Sequence, residues 1–240
     1  MRLYDLSAIF IVVIIGIFTL LPSDKIEEAV RFHEAGQYQE AFNILTPLAE
    51  SGHGEALYLL SEMHRKGEGV DKSEQKASRL LMQSAQKGYA RAQYFVGMKL
   101  TVGRSIDKDP RMGLEWLRKA ASQGNARAQR MIGYAYHSGK VISKDIAEGN
   151  KWLYMAAENG DPAAAKSIAL NHIRGIGVPQ DYVKGYYWLN RAKENSKSGF
   201  LSLPDGVIKE LVKNVERRIR YLERQMTPAQ LKEAKAMVGQ

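Results

Sequence analysis

The chain has 240 residues, of which 25% are charged and 45% hydrophobic, and its 35 basic against 26 acidic side chains give a net charge of +9. It has no cysteine, which excludes a disulfide scaffold and any thiolate metal site but leaves both reducing and oxidising compartments open. The positive balance favours acidic partners without reaching the charge of a dedicated nucleic-acid binder. The length fits one or two globular domains, or about five stacked helical hairpins.

Residues 1–23 read as a membrane segment. Leu6 to Leu21, LSAIFIVVIIGIFTLL, holds no charge and, with Leu3 and Tyr4 reaching into the interface, approaches the roughly 20 residues that a span requires. Leu20-Leu21-Pro22-Ser23 offers no A-x-A cleavage site, so the expectation is an uncleaved single-pass anchor. The alternative is a signal peptide removed on export to the periplasm. Arg2 precedes the segment, whereas Asp24, Glu27 and Glu28 follow it beside a lone Lys25. The positive-inside tendency then places the N-terminus in the cytoplasm and the rest of the chain in a bacterial periplasm, anchored in the inner membrane.

Residues 24–52 form a lead-in hairpin. Ile26, Ala29, Val30 and Phe32 precede a turn at Gly36, and Ala41, Phe42, Leu45 and Leu48 follow at helical spacing. Pro47 is expected to bend the second helix or to mark its early end.

From residue 53 one pattern recurs every 36 residues. Glycines stand at Gly52, Gly88, Gly124 and Gly160, alanines at Ala56, Ala92, Ala128 and Ala164, and branched apolar residues at Leu60, Val96, Ile132 and Ile168. Loop glycines follow at Gly67, Gly103, Gly139 and Gly175, each trailed by Val70, Ile106, Ile142 or Val178, and a large apolar residue falls at Leu80, Trp116, Trp152 and Trp188. A fixed period of this size marks a stacked array. Each unit reads as two antiparallel helices, A and B. Asn125 or Asp161 caps helix A, its alanine face packs closely, and a left-handed glycine such as Gly139 ends it. Asp109, Asp145 or Asp181 caps helix B, with a capping box at Asp145 and Glu148. Helix B is expected to turn Trp152 and Leu153 inward. The units run over 53–88, 89–124, 125–160 and a shortened 161–192.

The remainder, 193–240, reads as a linker, KENSKSGFLS, followed by two helices. Ile208, Leu211, Val212, Val215, Ile219, Leu222 and Met226 form an apolar stripe over about five turns. Such a stripe can cap the open end of an array or pair with a second copy. Thr227-Pro228-Ala229-Gln230 starts the last helix with a capping box.

The run A-x-x-x-[LVI]-[GSA]-x-x-[aromatic]-x-x-G, then an Asp cap, W-L and A-A-x-x-G, resembles the Sel1-like repeat, a relative of the tetratricopeptide repeat with a longer inter-helix loop. Ser61 and Ala169 depart from its helix A glycine and Leu80 from its tryptophan. The resemblance implies an all-α, right-handed α-solenoid of helix-turn-helix units, here with an N-terminal transmembrane helix, and a role in scaffolding protein complexes.

No catalytic constellation stands out. There is no H-E-x-x-H, no G-x-S-x-G and no phosphate loop, and His64 and His172 share a packing column with Leu100 and Tyr136. Metal, cofactor and enzymatic activity are therefore not expected. Arg217, Arg218, Arg220 and Arg224 alternate with Glu216 and Glu223, which describes a solvated helix face rather than a nucleic-acid site.

The expected site is the concave groove lined by the A helices. It would present Tyr58, Glu62 and Arg65, then Tyr94, Met98 and Thr101, then Arg130, Tyr134 and His137, and last Lys166, Leu170 and Ile173. Tyr94 and Arg130 are expected to project beside one another, outside every packing column, and to clamp a partner segment, since Tyr and Arg are enriched at binding hot spots. The expected function is a membrane-anchored adaptor of the bacterial envelope. A glycan-binding or cell-wall-acting protein and a cytosolic regulatory adaptor are the alternatives, and the oligomeric state is open.

Overall fold

The computed structural model describes residues 22–103, 108–197 and 204–239. The expected anchor at 6–21, Ile106 of the loop column and the end of the expected linker lie outside them. Among the described residues there are twelve helices and no strand, and no helix is long and apolar enough to cross a membrane. The chain divides into two compact units, Met1–Lys87 and Gly88–Gln240.

In the first unit lie α1 (Pro22–Glu34), α2 (Tyr38–Glu50), α3 (Gly54–Lys66) and α4 (Glu74–Gln86). Ile26, Ala29, Ala41, Leu45, Ala56, Leu60 and Met63 share one core. Ala29, Ala41 and Ala56 are fully buried, so the backbones they belong to approach closely. Ser84 ties the end of α4 to the start of α3 by donating to the Gly54 carbonyl at 2.6 Å. The helix α2 does not end early at Pro47 but runs on to Glu50.

In the second unit lie α5 (Ala90–Val102), α6 (Pro110–Ser122), α7 (Ala126–Ser138), α8 (Ile146–Glu158), α9 (Pro162–Arg174), α10 (Tyr182–Lys197), α11 (Asp205–Glu223) and α12 (Pro228–Val238). The helix starts follow the cap chemistry. Asn125 and Asp161 accept from the amides of Ala128 and Ala164, and Asp109, Asp145 and Asp181 do the same for α6, α8 and α10. The Thr227 and Gln230 capping box is present. That expected at Asp145 is half made, because Glu148 turns outward to Lys151 at 2.9 Å. Gly139 ends α7 in the left-handed region at φ 66°, with its amide on the Ala135 carbonyl, as the column of loop glycines predicts.

Helix B packs differently from expectation. Leu117, Leu153 and Leu189 are at most 3% exposed, whereas Trp116, Trp152 and Trp188 are only half-buried. Successive helical residues point about 100° apart, so one residue of the W-L pair centres on the packing axis and its neighbour must flank it. The leucine takes the centre. Below it sits a column that the repeat pattern had not singled out, Gly113, Gly149 and Gly185. A Cβ on Gly133 would stand 3.0 Å from the Gly149 carbonyl, and one on Gly97 would stand 2.8 Å from that of Gly113. Paired glycines therefore set how closely helices A and B cross.

The last B helix, α10, continues to Lys197, into the stretch expected to be a linker, with Ser196 buried and bonded back to the Ala192 carbonyl. Val215, Ile219, Leu222 and Met226 join Leu189 and Ala192 in one core that also takes in Ala234. The C-terminal half of the apolar stripe of α11 thus closes the end of the array, while Ile208, Leu211 and Val212 stay half-buried outside that core. Tyr186 on α10 adds a hydrogen bond to Glu223 at 3.2 Å.

Candidate functional site

Which face of helix A remains open depends on how neighbouring units join, and polar bonds make the joints. Arg130 on α7 donates through Nε to Asp161 Oδ2 at 2.9 Å, while Asp161 Oδ1 caps α9. The Asp161 side chain is 1% exposed and that of Arg130 21%. Burial, the largest influence on the guanidinium, opposes its charge, but the adjacent carboxylate outweighs it and holds the group above its ordinary pKa. Tyr134 bonds through its hydroxyl to Ser167 at 2.9 Å. Within the units, Gln123 donates to Gln93 at 2.8 Å and Asn159 to Gln129 at 2.9 Å, a recurrent bond that fastens the end of helix B to helix A.

A buried polar node joins three helices. Asn150 on α8 accepts from Asn171 of α9 at 2.7 Å and meets His137 Nε2 of α7 at 3.0 Å. Its amide nitrogen donates to the Ile176 carbonyl at 3.0 Å, holding the loop after α9. Each group satisfies the others, as buried polar groups must be satisfied. His172 is also buried, with Nε2 bonded to the Tyr154 hydroxyl and Nδ1 without a partner in hydrogen-bonding geometry. Burial presses its pKa below 6.5, against the nearby Asp181.

These bonds correct the expected groove. Tyr58 and Tyr94 are buried, at 3% and 9% exposure, so neither stands free on an open wall. Arg130 belongs to a joint between units, and His137 to the polar node. The column at 58, 94, 130 and 166 therefore does not lie outside the packing, as expected; in Tyr58, Tyr94 and Arg130 it is packing. Glu62 and Arg65 form a hydrogen-bonded pair with each other at 2.6 Å. Met98, Lys166, Leu170, Ile173 and Thr101 are half-buried.

The open face of the A helices lies three residues earlier in register. In α7 it runs Arg127, Met131, Tyr134, Ser138, and in α5 Arg91, Phe95, Met98, Val102, each set spaced to share one helical face. Tyr134 thus serves both the face and a joint. Two cavities open along it. One, of about 310 Å³, lies at the N-terminal end of α7 against Arg91, Tyr94, Phe95, Arg127 and Asn159. The other, of about 270 Å³, is walled by Leu114, Leu117, Met131, Tyr134 and Val141. Among the described residues no group of three or more His, Asp and Glu is placed to hold a metal.

A succession of antiparallel helical hairpins, joined in the second unit by side-chain bonds, is an α-solenoid in architecture. The family model for the Sel1 repeat matches residues 54–89, 90–125, 126–161 and 162–197, well over half of the chain, and the protein belongs to the Sel1 repeat family. A crystal structure of a Sel1 repeat protein from Oxalobacter formigenes is similar at 28% identity and TM-score 0.64, over 72% of this chain and 69% of that one. The protective antigen c5321 of uropathogenic Escherichia coli, with an SLR fold, is similar at 25% identity and TM-score 0.70. That match takes in 91% of this chain but only 44% of the antigen. The Pseudomonas aeruginosa immunity protein Pa5087 shares the fold at 19% identity and TM-score 0.50, over 82% of both chains. Comparison with curated proteins gives no match. Sel1 repeat proteins generally mediate protein–protein interaction, and their fold is typically a non-catalytic scaffold.

Proposed function

We propose that the protein is a non-catalytic adaptor of the bacterial envelope, held in the inner membrane by residues 6–21 with its repeats in the periplasm, and that it binds a partner protein along the open face of α5 and α7. The observation that carries this reading is the division of labour on those helices. Alanine and glycine bring the helices together, while the edges of Phe95, Met98 and Met131, half-buried against the core, line a face with two cavities. Aromatic and methionine side chains on such a face suit an interface. The similarity to a protein described as a protective antigen supports an envelope position, because an antigen of that kind is met by antibodies.

A photo-crosslinking amino acid at Met98, in cells, tests the binding face. Discrete protein adducts are expected there and not from the same group at exposed Lys119 on α6. Equal adducts at both positions, or none at Met98, would overturn the reading. Alkaline phosphatase joined after Gln240 tests the topology, and an inactive fusion would reject it.

A further inference from the structure

Along the sequence of α11 acids and bases alternate, but the fold sorts them in space. Val215, Ile219 and Leu222 turn the helix inward. Glu223 is half-buried and accepts from the Tyr186 hydroxyl of α10, and Glu216, also half-buried, stands two turns earlier on the same flank. The side turned away from the core carries Lys209, Lys213, Arg217, Arg220 and Arg224, all exposed. Steps of four, four, three and four residues put these five in one row. The row is about 22 Å long at 1.5 Å per residue. Among the described residues only Arg217 of the five reaches a carboxylate, Glu210 at 3.9 Å, and both side chains of that pair are at least 60% exposed. Tyr221 borders the row, four residues after Arg217 and three before Arg224. At 65% exposure its ring is more open than any other large hydrophobic side chain described.

Like charges three or four residues apart on a helix repel, so the fold gains nothing from this row. Its shape narrows what it meets. A protein segment is usually recognised in a groove or at a sheet edge. A row on the outer side of one helix instead meets a plane along its whole length. A tyrosine ring with its hydroxyl is favoured at the level of lipid headgroups. A basic face on an amphipathic helix suits the surface of an anionic bilayer. Residues 6–21, placed in the membrane by the function proposed above, would hold the chain beside such a surface and make a second contact effectively intramolecular.

We propose that the outer face of α11 is a second membrane contact, in which the five cations lie against the phosphates of anionic phospholipids and Tyr221 sits at the headgroup level. The inference rests on the adaptor reading for its anchor and adds that the chain is held at the membrane from both ends of its sequence. A partner bound by such a chain is one that itself lies close to the bilayer.

A fluorescent reporter on α11 tests it. Gly206 is in helical register with the row and a Cβ there meets open space, so Gly206→Cys takes a nitrobenzoxadiazole label in a chain with no other cysteine. The labelled full chain is reconstituted in phosphatidylcholine liposomes, with and without phosphatidylglycerol, that contain a lipid spin-labelled at its headgroup. Quenching is expected with phosphatidylglycerol. It should be at least threefold weaker without that lipid, in about 0.5 M salt, or in Lys213→Gln with Arg217→Gln and Arg220→Gln. Removing the same number of charges at Arg118, Lys119 and Lys144 should leave it unchanged, and thermal melting verifies the fold of each variant. Equal quenching in both lipids, no quenching in either, or quenching that the triple change on α11 leaves intact would each overturn the contact. Salt-sensitive self-association in neutral detergent that the triple change abolishes would give the row to a second copy. A discrete protein adduct from a photo-crosslinking amino acid at Gly206 in cells would give it to an acidic protein, and either result overturns the lipid contact. The anchor is read separately, by extraction with alkaline carbonate. A chain that resists extraction but is never quenched keeps the anchor and loses the contact, whereas one that is extracted yet quenched at low salt keeps the contact and loses the anchor.

Discussion

Removing Arg130 puts the joint between the third and fourth units under direct test. In Arg130→Ala the Asp161 carboxylate keeps its cap bond to the Ala164 amide, but Oδ2 loses its charged partner in a place where the side chain is 1% exposed. Breaking a fully buried pair from one side costs about 3–5 kcal/mol. The Arg130 side chain is 21% exposed, so water can approach the vacated space and a loss of about 2–3 kcal/mol is expected. For a chain of this size that corresponds to a melting point lower by roughly 5–10 °C. Asp161→Asn keeps an oxygen for the cap and removes the charge, so adding it to Arg130→Ala should recover part of the loss. Urea unfolding of the four proteins, followed by circular dichroism, completes the double-mutant cycle. An Arg130→Ala protein as stable as wild type, or a double variant worse than the two single losses added, would refute the argument.

Ala128→Leu and Gly139→Val should each destabilise by at least about 1 kcal/mol, one by overpacking a fully buried site and the other by forcing a branched residue to φ 66° with its Cβ 2.8 Å from that of Lys144; unchanged melting of both would show the repeat register to be wrong. Gly149→Ala should cost about 1–3 kcal/mol, because its Cβ would collide with the His137 ring and press on the Gly133 carbonyl, and a variant that melts like wild type would mean that the helix crossing is looser than described. His172 has its pKa lowered by burial, so the unfolded chain takes up the proton first as pH falls through about 6.5, and stability present at neutral pH is lost on acidification. The drop in melting temperature between pH 7.5 and 5.5 should shrink in His172→Leu, and an unchanged drop would assign the acid sensitivity to another group.

Much of this architecture was legible in the residues. Caps and loop glycines act locally, so Asn125, Asp145 and Gly139 could be placed from their immediate neighbours. The alanine and branched columns located the face that helix A turns to helix B, because one helix with 3.6-residue periodicity suffices to show it. The second packing face, toward the next unit, left no such trace. Its partner to Arg130 is Asp161, 31 residues on, which the sequence marks only as the cap of its own helix. The expected open wall accordingly fell on Tyr58 and Tyr94, which are buried, and on Arg130, which is bonded to Asp161. A signal was available in the recurrence of Gln93 with Gln123 and Gln129 with Asn159 at a constant separation of 30 residues. The Gly113, Gly149 and Gly185 column, in step with the rest, likewise marked where the helices cross.

Eight successive helices, from Tyr38 to Arg174, have the same length of 13 residues. That uniformity determines which changes in the gene the protein can survive. Excision of one whole 36-residue block, 126–161, joins Asn125 to Pro162 and sets one cap residue in the place of another. Loss of 35 residues instead would turn the side chains beyond the cut by about 100° relative to those before it in the helix that carries the junction, moving part of that helix off its seam. Duplication and deletion therefore cost the fold least in whole units and more in fractions. Proteins of this construction can change length in steps while each remaining unit keeps its own chemistry, so a cavity such as the one at Val141 can be gained or lost by exchanging a single block.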